Sequence, residues 1–250
     1  MLFLIGVGLD TGDISVKGLD LIKSTEHVCI EQYTTKISSE YLNYLKMESG
    51  KDILELSRSD LEEKLNNTLS KAKSADLAIL FPGDPLIATT HKIILGAAKA
   101  CNIPVRVLHA PSILTAAMGE SMLNAYRFGP TTTIPQWTEK YTPTSFLDVI
   151  LENKRNGQHT LALLDIDPKT GTTISIETAI NIICTAAGQK GVDLTSQRMI
   201  ALLNLGRATQ KVLYLPLDDL KKKHICEGIA SLIFVGKLGF EEEEALKIFT

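Results

Sequence analysis

Three polar stretches containing glycine or proline each follow a short apolar run in the first half of the chain. They are GLDTGD after residues 2–7, PGDPLIATTH after residues 77–81, and HAPSI after residues 105–108. Short apolar runs bounded by turn residues are typical of buried strands. Because ligands of α/β sheets bind beyond the carboxyl ends of the strands, these three stretches are the first candidates for a shared binding site.

The first stretch has the glycines of a nucleotide-binding turn but not their spacing. Gly6, Gly8 and Gly12 follow the pattern GxGxxxG, whereas a dinucleotide-binding turn needs GxGxxG. Glu31, at the end of the second apolar run, lies about where such proteins carry a ribose-binding acid. A nicotinamide-dependent oxidoreductase and a plain tight turn therefore both remain alternatives for this stretch.

The second stretch has the residues of a helix start. Asp84 is a good N-cap after the turn at Gly83, and Pro85 suits the first helical position. These residues predict a helix over 85–100, whose positive end would face a ligand at the strand ends. His91 falls on the apolar face of that helix, so it is either a core residue or part of the site.

The third stretch also has two interpretations. Ser112 precedes a helix of small residues and is a candidate N-cap, which would make the stretch purely structural. The backbone before Ser112 could equally donate hydrogen bonds to a ligand, because helix starts leave N–H groups unpaired.

Apolar runs alternate with longer helix-like stretches in the first half. Strands are predicted at residues 2–7, 28–30, 53–56, 77–81 and 105–108, and helices at residues 60–73 and 85–100. Strands and helices in alternation indicate a parallel sheet covered by helices, which is an α/β fold.

In the second half of the chain, strands and helices are again predicted after an irregular segment. Residues 126–144 carry three prolines and the single tryptophan without lasting periodicity, and they are interpreted as an inter-domain segment or ordered loop. Strands are then predicted at 160–166, 199–205, 211–215 and 231–235, and helices at 145–153, 176–187 and 240–249. Adjacent strands with fewer helices between them suggest a mixed sheet. Two α/β domains are therefore expected, at residues 1–115 and 116–250.

Composition limits the class of protein. The chain has 250 residues, a net charge of −3 and a pI near 6.0, which argues against the broad basic surface that binds nucleic acid. The four cysteines have neither CxxC nor metal-finger spacing and are expected to be reduced; they are Cys29, Cys101, Cys184 and Cys226. No signal peptide or membrane-length apolar run is found, so a cytoplasmic protein without a membrane or metal partner is expected.

Longer motifs extend the three stretches over most of the chain. They are IGVGLDTGDISVKGLDLIKS, PGDPLIATTH, HAPSI, YRFG and TPTSFLDVILENKRNGQHTLALLDID, with a looser SLIFVGKLGFEEEEAL near the end. In these motifs the chain resembles the diphthine synthases, a family with the tetrapyrrole-methylase fold. The combination of GDPLIATTH with HAPSI distinguishes this family from relatives that methylate porphyrin precursors.

The resemblance implies an S-adenosylmethionine-dependent methyltransferase, with the cofactor in a cleft between the two domains. The implied substrate is translation elongation factor 2, at a histidine that already bears a 3-amino-3-carboxypropyl group. Methylation of its amino group, with trimethylation expected, would give diphthine on the route to diphthamide and release S-adenosylhomocysteine. A homodimer is also implied. The cations around the middle segment are either an elongation-factor surface or solvated charges; they are Arg127, Lys140, Lys154 and Arg155.

The resemblance also implies which residues contact the cofactor. These are Leu9, Asp84, Ile87, Ser112 and Ile113 in the first domain, and Leu163, Ala208 and Ala230 in the second. The chain departs from the family near Ala230, because the two histidines and the proline usual in the last strand are missing. The loop after Asp167 is shorter than usual. No catalytic base is assigned, since His91 and Asp165 do no more than lie near strand ends.

Three other functions remain alternatives to this interpretation. A porphyrin-precursor methyltransferase would share the fold and the cofactor. A nicotinamide-dependent oxidoreductase fits Glu31 but not the glycine spacing, and it leaves GDPLIATTH unexplained. A non-catalytic protein-binding module that keeps the fold would account for the altered last strand.

Overall fold

A computed structural model describes residues 1–35, 37–166, 173–223, 225 and 228–249. The chain divides into two compact units, Met1–Leu114 and Thr115–Thr250. The boundary lies one residue before the one expected from the sequence. Asp167 and Cys226 lie outside the described residues, as does most of the loop whose shortness the sequence indicated.

The first unit contains a five-stranded sheet in which every pairing is parallel. Its strands are β1 (Leu2–Gly6), β2 (His27–Glu31), β3 (Leu54–Leu56), β4 (Leu77–Phe81) and β5 (Val105–Leu108). Their order across the sheet is β3-β2-β4-β1-β5. The predicted α/β fold with a parallel sheet is therefore confirmed.

The helices described in this unit are α1 (Val16–Ser24), α2 (Ser39–Ser49), α3 (Arg58–Leu61), α4 (Leu65–Ser74) and α5 (Lys92–Ala100), and α6 (Ile113–Glu120) begins at its end and continues into the second unit. The first three start at serine caps, Ser15, Ser38 and Ser57. Ser57 and Asp60 form a reciprocal capping box at α3. The single helix predicted over 60–73 is wrong, because α3 ends at Leu61 and α4 begins at Leu65, after Lys64 has left helical geometry.

Both faces of the central strands β1 and β4 are buried, which explains why these two strands are continuously apolar. Leu4 and Ile79 pack with Leu69 of α4 on one face. Ile5 and Ile30 pack with Ile22, Tyr41 and other residues of α1 and α2 on the opposite face. Period-two alternation is absent for this reason, and short length with flanking turn residues was the usable signal.

The strand order places a topological switch point between β1 and β4. The chain leaves β1 towards β2 on one side, and it leaves β4 towards β5 on the other side. The loops after these neighbouring strands therefore run in opposite directions. The carboxyl edge at such a switch point is where α/β sheets usually bind ligands.

The second unit contains a mixed five-stranded sheet, as the sequence suggested. Its strands are β6 (Thr132–Ile134), β7 (Thr160–Leu164), β8 (Arg198–Leu203), β9 (Lys211–Pro216) and β10 (Ala230–Phe234), in the order β6-β7-β10-β8-β9. Only β6 and β7 pair in parallel; the other pairings are antiparallel. Its helices are α7 (Ser145–Arg155), α8 (Ile176–Gln189), α9 (Leu217–Lys222) and α10 (Phe240–Ala245), with short 3₁₀ helices at Ala125–Arg127 and Leu246–Phe249.

Two predictions in this unit need correction. The segment 126–144 is not wholly irregular, because Thr132–Ile134 forms β6 beside the long strand β7. The helix predicted over 240–249 ends at Ala245 and continues as a 3₁₀ turn. A three-residue strand is too short for periodicity to reveal, so only its β-branched residues pointed to it.

The remaining expectations concern thiols and membranes. Cys29, Cys101 and Cys184 are free thiols, and burial raises the pKa of Cys29 and of Cys184. Across the described ranges, none of the helices has both the length and the apolar character needed to span a bilayer.

Candidate functional site

The loops after β1 and β4 are joined through two glycines. The Gly8 N–H donates to the Gly83 carbonyl at 3.2 Å, and the Gly83 N–H donates to the Gly8 carbonyl at 2.7 Å. Both glycines have positive φ, +79° and +68° respectively, a region that other residues rarely adopt. The glycine spacing that fails as a dinucleotide turn thus serves to hold these two loops together.

Gly6 brings the third loop to the same place. A Cβ on Gly6 would lie 2.6 Å from the Gly83 carbonyl, 2.8 Å from the Ala110 Cβ and 3.0 Å from the Pro85 Cδ. All three atoms belong to the loops after β4 and β5. The structure therefore brings together the three stretches singled out in the sequence, and it does so around a residue that can have no side chain.

The loop after β1 is closed by its own carboxylate. Asp13 Oδ2 accepts hydrogen bonds from the Leu9 N–H at 2.9 Å and the Asp10 N–H at 3.0 Å. The Tyr41 hydroxyl donates to the Val7 carbonyl just before this turn. Leu9 is half-buried with its N–H already bonded, so what it offers a ligand is an apolar side chain rather than a hydrogen-bond donor.

The sequence predicted that Asp84 caps a helix. In the structure, Asp84 instead links two loops. Its Oδ1 accepts from the Leu86 N–H at 3.0 Å. Its Oδ2 accepts from the Ala110 N–H at 3.3 Å and lies 2.7 Å from the His109 Nδ1. The Asp84 side chain is 4% exposed, whereas that of His109 is 67% exposed. A buried carboxylate thus holds an exposed imidazole.

The helix predicted from Pro85 is wrong, because α5 begins at Lys92. Residues 85–91 form turns, and Ala88 has a positive φ of 54°, which no right-handed helix accommodates. No helix start therefore faces a ligand at Pro85. The turns instead leave Ile87 40% exposed, which makes it one of the exposed large apolar residues of the first unit.

Ser112 and Ile113 stand at the start of α6, as expected. Ser112 is 5% exposed and Ile113 is half-buried. Nearby, a Cβ placed on Gly83 would meet only the Pro111 carbonyl, at 3.9 Å. Backbone there is open to close approach by another molecule, which is the property that a cofactor contact requires.

Glu31 is fully buried, and its carboxylate holds its own loop. It accepts from the Tyr33 N–H at 2.6 Å, the Thr34 N–H at 2.6 Å and the Thr34 hydroxyl at 2.7 Å. Burial raises the pKa of this acid, against the opposing effect of those hydrogen bonds. Both oxygens are used within the loop, which removes the residue on which the nicotinamide alternative depended.

His91 is a core residue, which decides between the two interpretations open from the sequence. It is 3% exposed, its ring centroid lies 4.6 Å from that of Phe81, and its Nε2 lies 3.2 Å from the Tyr33 hydroxyl. Burial lowers the pKa of His91 to about 4, against a smaller opposing effect of the Pro85 carbonyl. The imidazole is therefore neutral near pH 7 and does not form an ion pair with Glu31.

Acid should destabilise the protein through His91. Because its folded pKa of about 4 lies below the unfolded value of 6.5, the unfolded chain takes up the proton first as pH falls. This contribution to stability is complete above pH 6.5 and is lost between pH 6.5 and about 4. His91→Gln keeps an acceptor for Tyr33 but cannot titrate.

Urea unfolding should resolve this difference. Between about pH 7.5 and about pH 4.5, the wild type should lose about 2–3 kcal/mol more than His91→Gln. The comparison with the variant cancels the other titrating groups, including Glu31, whose raised pKa acts in the opposite direction. Parallel pH profiles for the two proteins would show that His91 is not buried in its neutral form.

The three contacts expected in the second unit lie at one end of its sheet. Leu163 of β7 pairs with Ser231, and Ala230 of β10 pairs with Leu203. Ala208 is exposed in the loop between β8 and β9. The Ala230 N–H is bonded to Thr173 Oγ1 at 3.0 Å. Their roles as cofactor contacts stay predictions.

A buried polar network in the second unit was missed by sequence reasoning. Glu242 accepts from Arg127 Nη1 at 2.6 Å, from the Gly239 N–H at 2.8 Å and from the Asn124 N–H at 2.9 Å. His159 Nε2 lies 3.0 Å from the same carboxylate. Arg127 is thus committed within the fold and is not a free docking charge, whereas Lys140, Lys154 and Arg155 are exposed.

The protonation states in this network follow from its donors. The Gly236 N–H donates to His159 Nδ1 at 3.0 Å, so Nδ1 is an acceptor and Nε2 carries the hydrogen. Burial lowers the pKa of His159, which favours this neutral form. Burial raises the pKa of Glu242, but hydrogen bonds from Gly239, Asn124 and His159 outweigh it and leave the pKa lowered.

Among the residues that the structure describes, no three His, Cys, Asp or Glu side chains lie together in a way that could hold a metal ion. His109 is the polar site residue that sequence reasoning overlooked. Its signal was present, because it is the first residue of HAPSI, directly after β5.

Comparison with known proteins places this geometry in a family. Residues 1–221 match the family of tetrapyrrole (corrin/porphyrin) methylases. The chain is 36% identical to the diphthine synthase of Archaeoglobus fulgidus, over 100% of this chain and 95% of that protein. It is 40% identical to the human diphthine methyl ester synthase, over 68% of this chain and 59% of that protein.

Solved structures give the same result. A crystal structure of a diphthine synthase superposes with a TM-score of 0.90 at 32% identity, covering 100% of this chain and 95% of that one. The crystal structure of a putative diphthine synthase from Entamoeba histolytica superposes with a TM-score of 0.89 at 30% identity, covering 100% of this chain and 98% of that one. The chain therefore belongs to the diphthine synthases within the tetrapyrrole methylases, and it is a methyltransferase of the diphthamide pathway.

Proposed function

We propose that the chain uses S-adenosylmethionine to methylate the amino group of a 3-amino-3-carboxypropyl-histidine in translation elongation factor 2, giving diphthine. The observation that carries the proposal is that three loops meet around Gly6, at the topological switch point of the first sheet, in a chain that belongs to a methyltransferase family. A porphyrin-precursor substrate is not favoured, because relatives named diphthine synthase match over 99–100% of the chain.

The residues of the first unit fit such a cofactor in several respects. Ile87 offers an exposed apolar side chain, and the backbone at Gly83 is open to close approach. Asp84 receives three hydrogen bonds, while a carboxylate has about four acceptor positions, so it can accept one more from an amino group. Leu9, Ser112 and Ile113 complete the proposed contacts. A buried negative charge beside them also favours a cationic sulfonium.

The bound cofactor would supply a methyl group already activated on a sulfonium, so no protein nucleophile is required. The work left to the chain is to orient the reactants and exclude water. Orientation contributes up to about 7–11 kcal/mol in the most favourable model reactions. A desolvated site also lowers the pKa of the substrate amine towards the neutral form that reacts.

The finer expectations belong to the same proposal. We take the product to be the trimethylated amine, and the active form to be a cytoplasmic homodimer. The family resemblance supports the trimethylated product and the homodimer. The free thiols of Cys29, Cys101 and Cys184 agree with a reducing compartment such as the cytoplasm. Light scattering at micromolar concentration distinguishes a dimer from a 27.3 kDa monomer.

Ile87 is expected to contribute apolar contact to the cofactor. Ile87→Ala should weaken S-adenosylhomocysteine binding about fivefold, because the variant loses about 1 kcal/mol of apolar burial. Calorimetric titration measures this change. Ile93→Ala is the matched control, since Ile93 is 48% exposed on α5, and it should bind as the wild type does.

The same titration tests the cofactor class. NADH should give no binding heat, whereas S-adenosylhomocysteine should saturate at one site per chain. Binding of NADH without binding of S-adenosylhomocysteine would contradict the proposed cofactor. An equal loss of affinity in Ile87→Ala and Ile93→Ala would contradict the placement at Ile87.

The substrate is tested directly with elongation factor 2 that carries the precursor side chain. After incubation with the chain and S-adenosylmethionine, peptide mass spectrometry should show methyl increments on that histidine peptide alone. Elongation factor with an unmodified histidine is the control and should gain none. Increments in both, or in neither, would refute the proposed substrate, and the number of increments reports the product.

A further inference from the structure

We propose that His109 is the group that takes the proton from the substrate ammonium, with Asp84 as its positioning residue. This inference rests on the proposed function, because an ammonium substrate must become a neutral amine before its lone pair can attack. It adds a catalytic residue in a chain whose sequence motifs name only cofactor contacts.

The geometry of the pair sets the tautomer of His109. Asp84 is an acceptor for the Ala110 and Leu86 N–H groups, and the His109 Nδ1 lies 2.7 Å from its Oδ2. Because both Asp84 oxygens already accept from backbone N–H groups, the carboxyl acts as an acceptor, and the His109 Nδ1 is assigned the hydrogen and donates it. The Nε2 lone pair of the neutral ring is then free to accept a proton.

The side chains of Asp84 and His109 differ in their exposure to solvent. The Asp84 side chain is 4% exposed and the His109 side chain 67% exposed. A buried carboxylate that fixes the tautomer and orientation of an accessible imidazole is the arrangement by which a histidine acts as a general base. A histidine that only closed a loop would need the Nδ1 bond and no accessible Nε2.

His109 also lies beside the proposed cofactor contacts. It follows β5, the neighbour of β1 in the sheet, and the adjoining Ala110 is one of the residues packed around Gly6. Three other titratable groups near these loops are committed to the fold, whereas the carboxyl of Asp10, half-buried in the loop after β1, is a second candidate proton acceptor there. Asp13 closes its own turn, Glu31 holds its own loop, and His91 is buried.

The step balances without any further reactant. The substrate ammonium gives one proton to the Nε2 of His109, which becomes an imidazolium paired with the Asp84 carboxylate. The amine lone pair forms the new N–CH3 bond while the S–CH3 bond breaks, and the electron pair of that bond remains on sulfur as a thioether. The imidazolium then releases its proton to water, which resets His109 for another transfer.

Two substitutions separate a proton acceptor from a loop contact. His109→Asn keeps an N–H that can reach Asp84 but has no equivalent of Nε2. It should lower the single-turnover rate about 100-fold or more, with S-adenosylhomocysteine affinity within about threefold of wild type. His109→Ala leaves an exposed gap, so added imidazole should restore its rate at least about tenfold.

The role of Asp84 is measured without turnover. Long-range ¹H–¹⁵N spectra of the histidine rings should show the Nδ1–H tautomer for His109 in the wild type and a shift towards Nε2–H in Asp84→Asn. The His109 signals are assigned by their absence in His109→Asn.

Each outcome decides the proposal. A His109→Asn rate within about threefold of wild type, or His109→Ala without imidazole rescue, would overturn the proton-accepting role. Loss of S-adenosylhomocysteine binding in His109→Asn would assign the residue to the cofactor instead. An Nε2–H tautomer in the wild type would remove Asp84 as the positioning residue. Absence of transfer by the wild type itself is a different result, which refutes the proposed substrate and this inference with it.

Discussion

Glu242→Ala should lower the free energy of unfolding by about 3–5 kcal/mol, the cost typical of removing one partner from a buried charge pair. The carboxylate is 5% exposed and joins four groups: the Arg127 guanidinium, the His159 ring, and the N–H groups of Gly239 and Asn124. Its loss removes the acceptor of the buried His159 ring and of the two backbone N–H groups, whereas the Arg127 guanidinium, 31% exposed, can reach water.

The adjacent Glu243 supplies the control for this experiment. It lies exposed on the same short helix, and Glu243→Ala should change stability by no more than about 0.5 kcal/mol. Urea unfolding monitored by circular dichroism measures both variants. Equal effects of the two substitutions would mean that helix-terminal charge, rather than the buried network, accounts for the role of Glu242.

Gly6→Ala should disrupt the junction of the three loops. The new Cβ would lie 2.6 Å from the Gly83 carbonyl and 2.8 Å from the Ala110 Cβ, closer than such atoms can approach. Neither neighbour is the end of a flexible side chain, so the backbone must move. We expect a loss of about 1–3 kcal/mol in stability, typical of overpacking, together with weaker S-adenosylhomocysteine binding.

Gly96→Ala is the matched control for Gly6→Ala. Gly96 is exposed within α5, and a Cβ there meets nothing within 4 Å. Because alanine favours helix over glycine, this variant should gain up to about 1 kcal/mol and bind S-adenosylhomocysteine as the wild type does. If Gly6→Ala kept both wild-type stability and wild-type affinity, the three loops would not depend on contact at Gly6.

Local chemistry was sufficient to predict the strands that carry the site. The apolar runs that form β1 and β4 were recognisable because a doubly covered parallel strand has no polar face, whereas β5, at the edge of the sheet, carries the exposed Arg106. Their carboxyl ends could be expected to meet, since parallel strands share an edge. The family motifs then connected these ends to one ligand.

Partners distant in the sequence were not predictable in the same way. Asp84 has the composition of a helix cap, yet its carboxylate is taken up by His109 and Ala110, 25 and 26 positions later. The resulting turns and the positive φ of Ala88 delay α5 until Lys92. Capping preferences are worth about 1 kcal/mol, so a tertiary hydrogen-bond network readily overrides them.

The Glu242 network was hidden for the same reason. Its side-chain partners, Arg127 and His159, lie 115 and 83 positions away from Glu242. In the sequence, Glu242 is one of four consecutive acids in an apparently solvated run, and only its place three residues after Gly239 hinted at a cap.

The most direct test of the cofactor site is a backbone ¹H–¹⁵N NMR titration of the full chain with S-adenosylhomocysteine. We expect saturable shifts that, within residues 1–114, are largest in the loops 6–13, 82–88 and 109–113. The amides near Glu31 should move little, because its carboxylate is committed to Tyr33 and Thr34. Saturable shifts centred on Glu31 that leave those three loops unmoved, or no shifts at all, would contradict the cofactor site at the carboxyl ends of β1, β4 and β5.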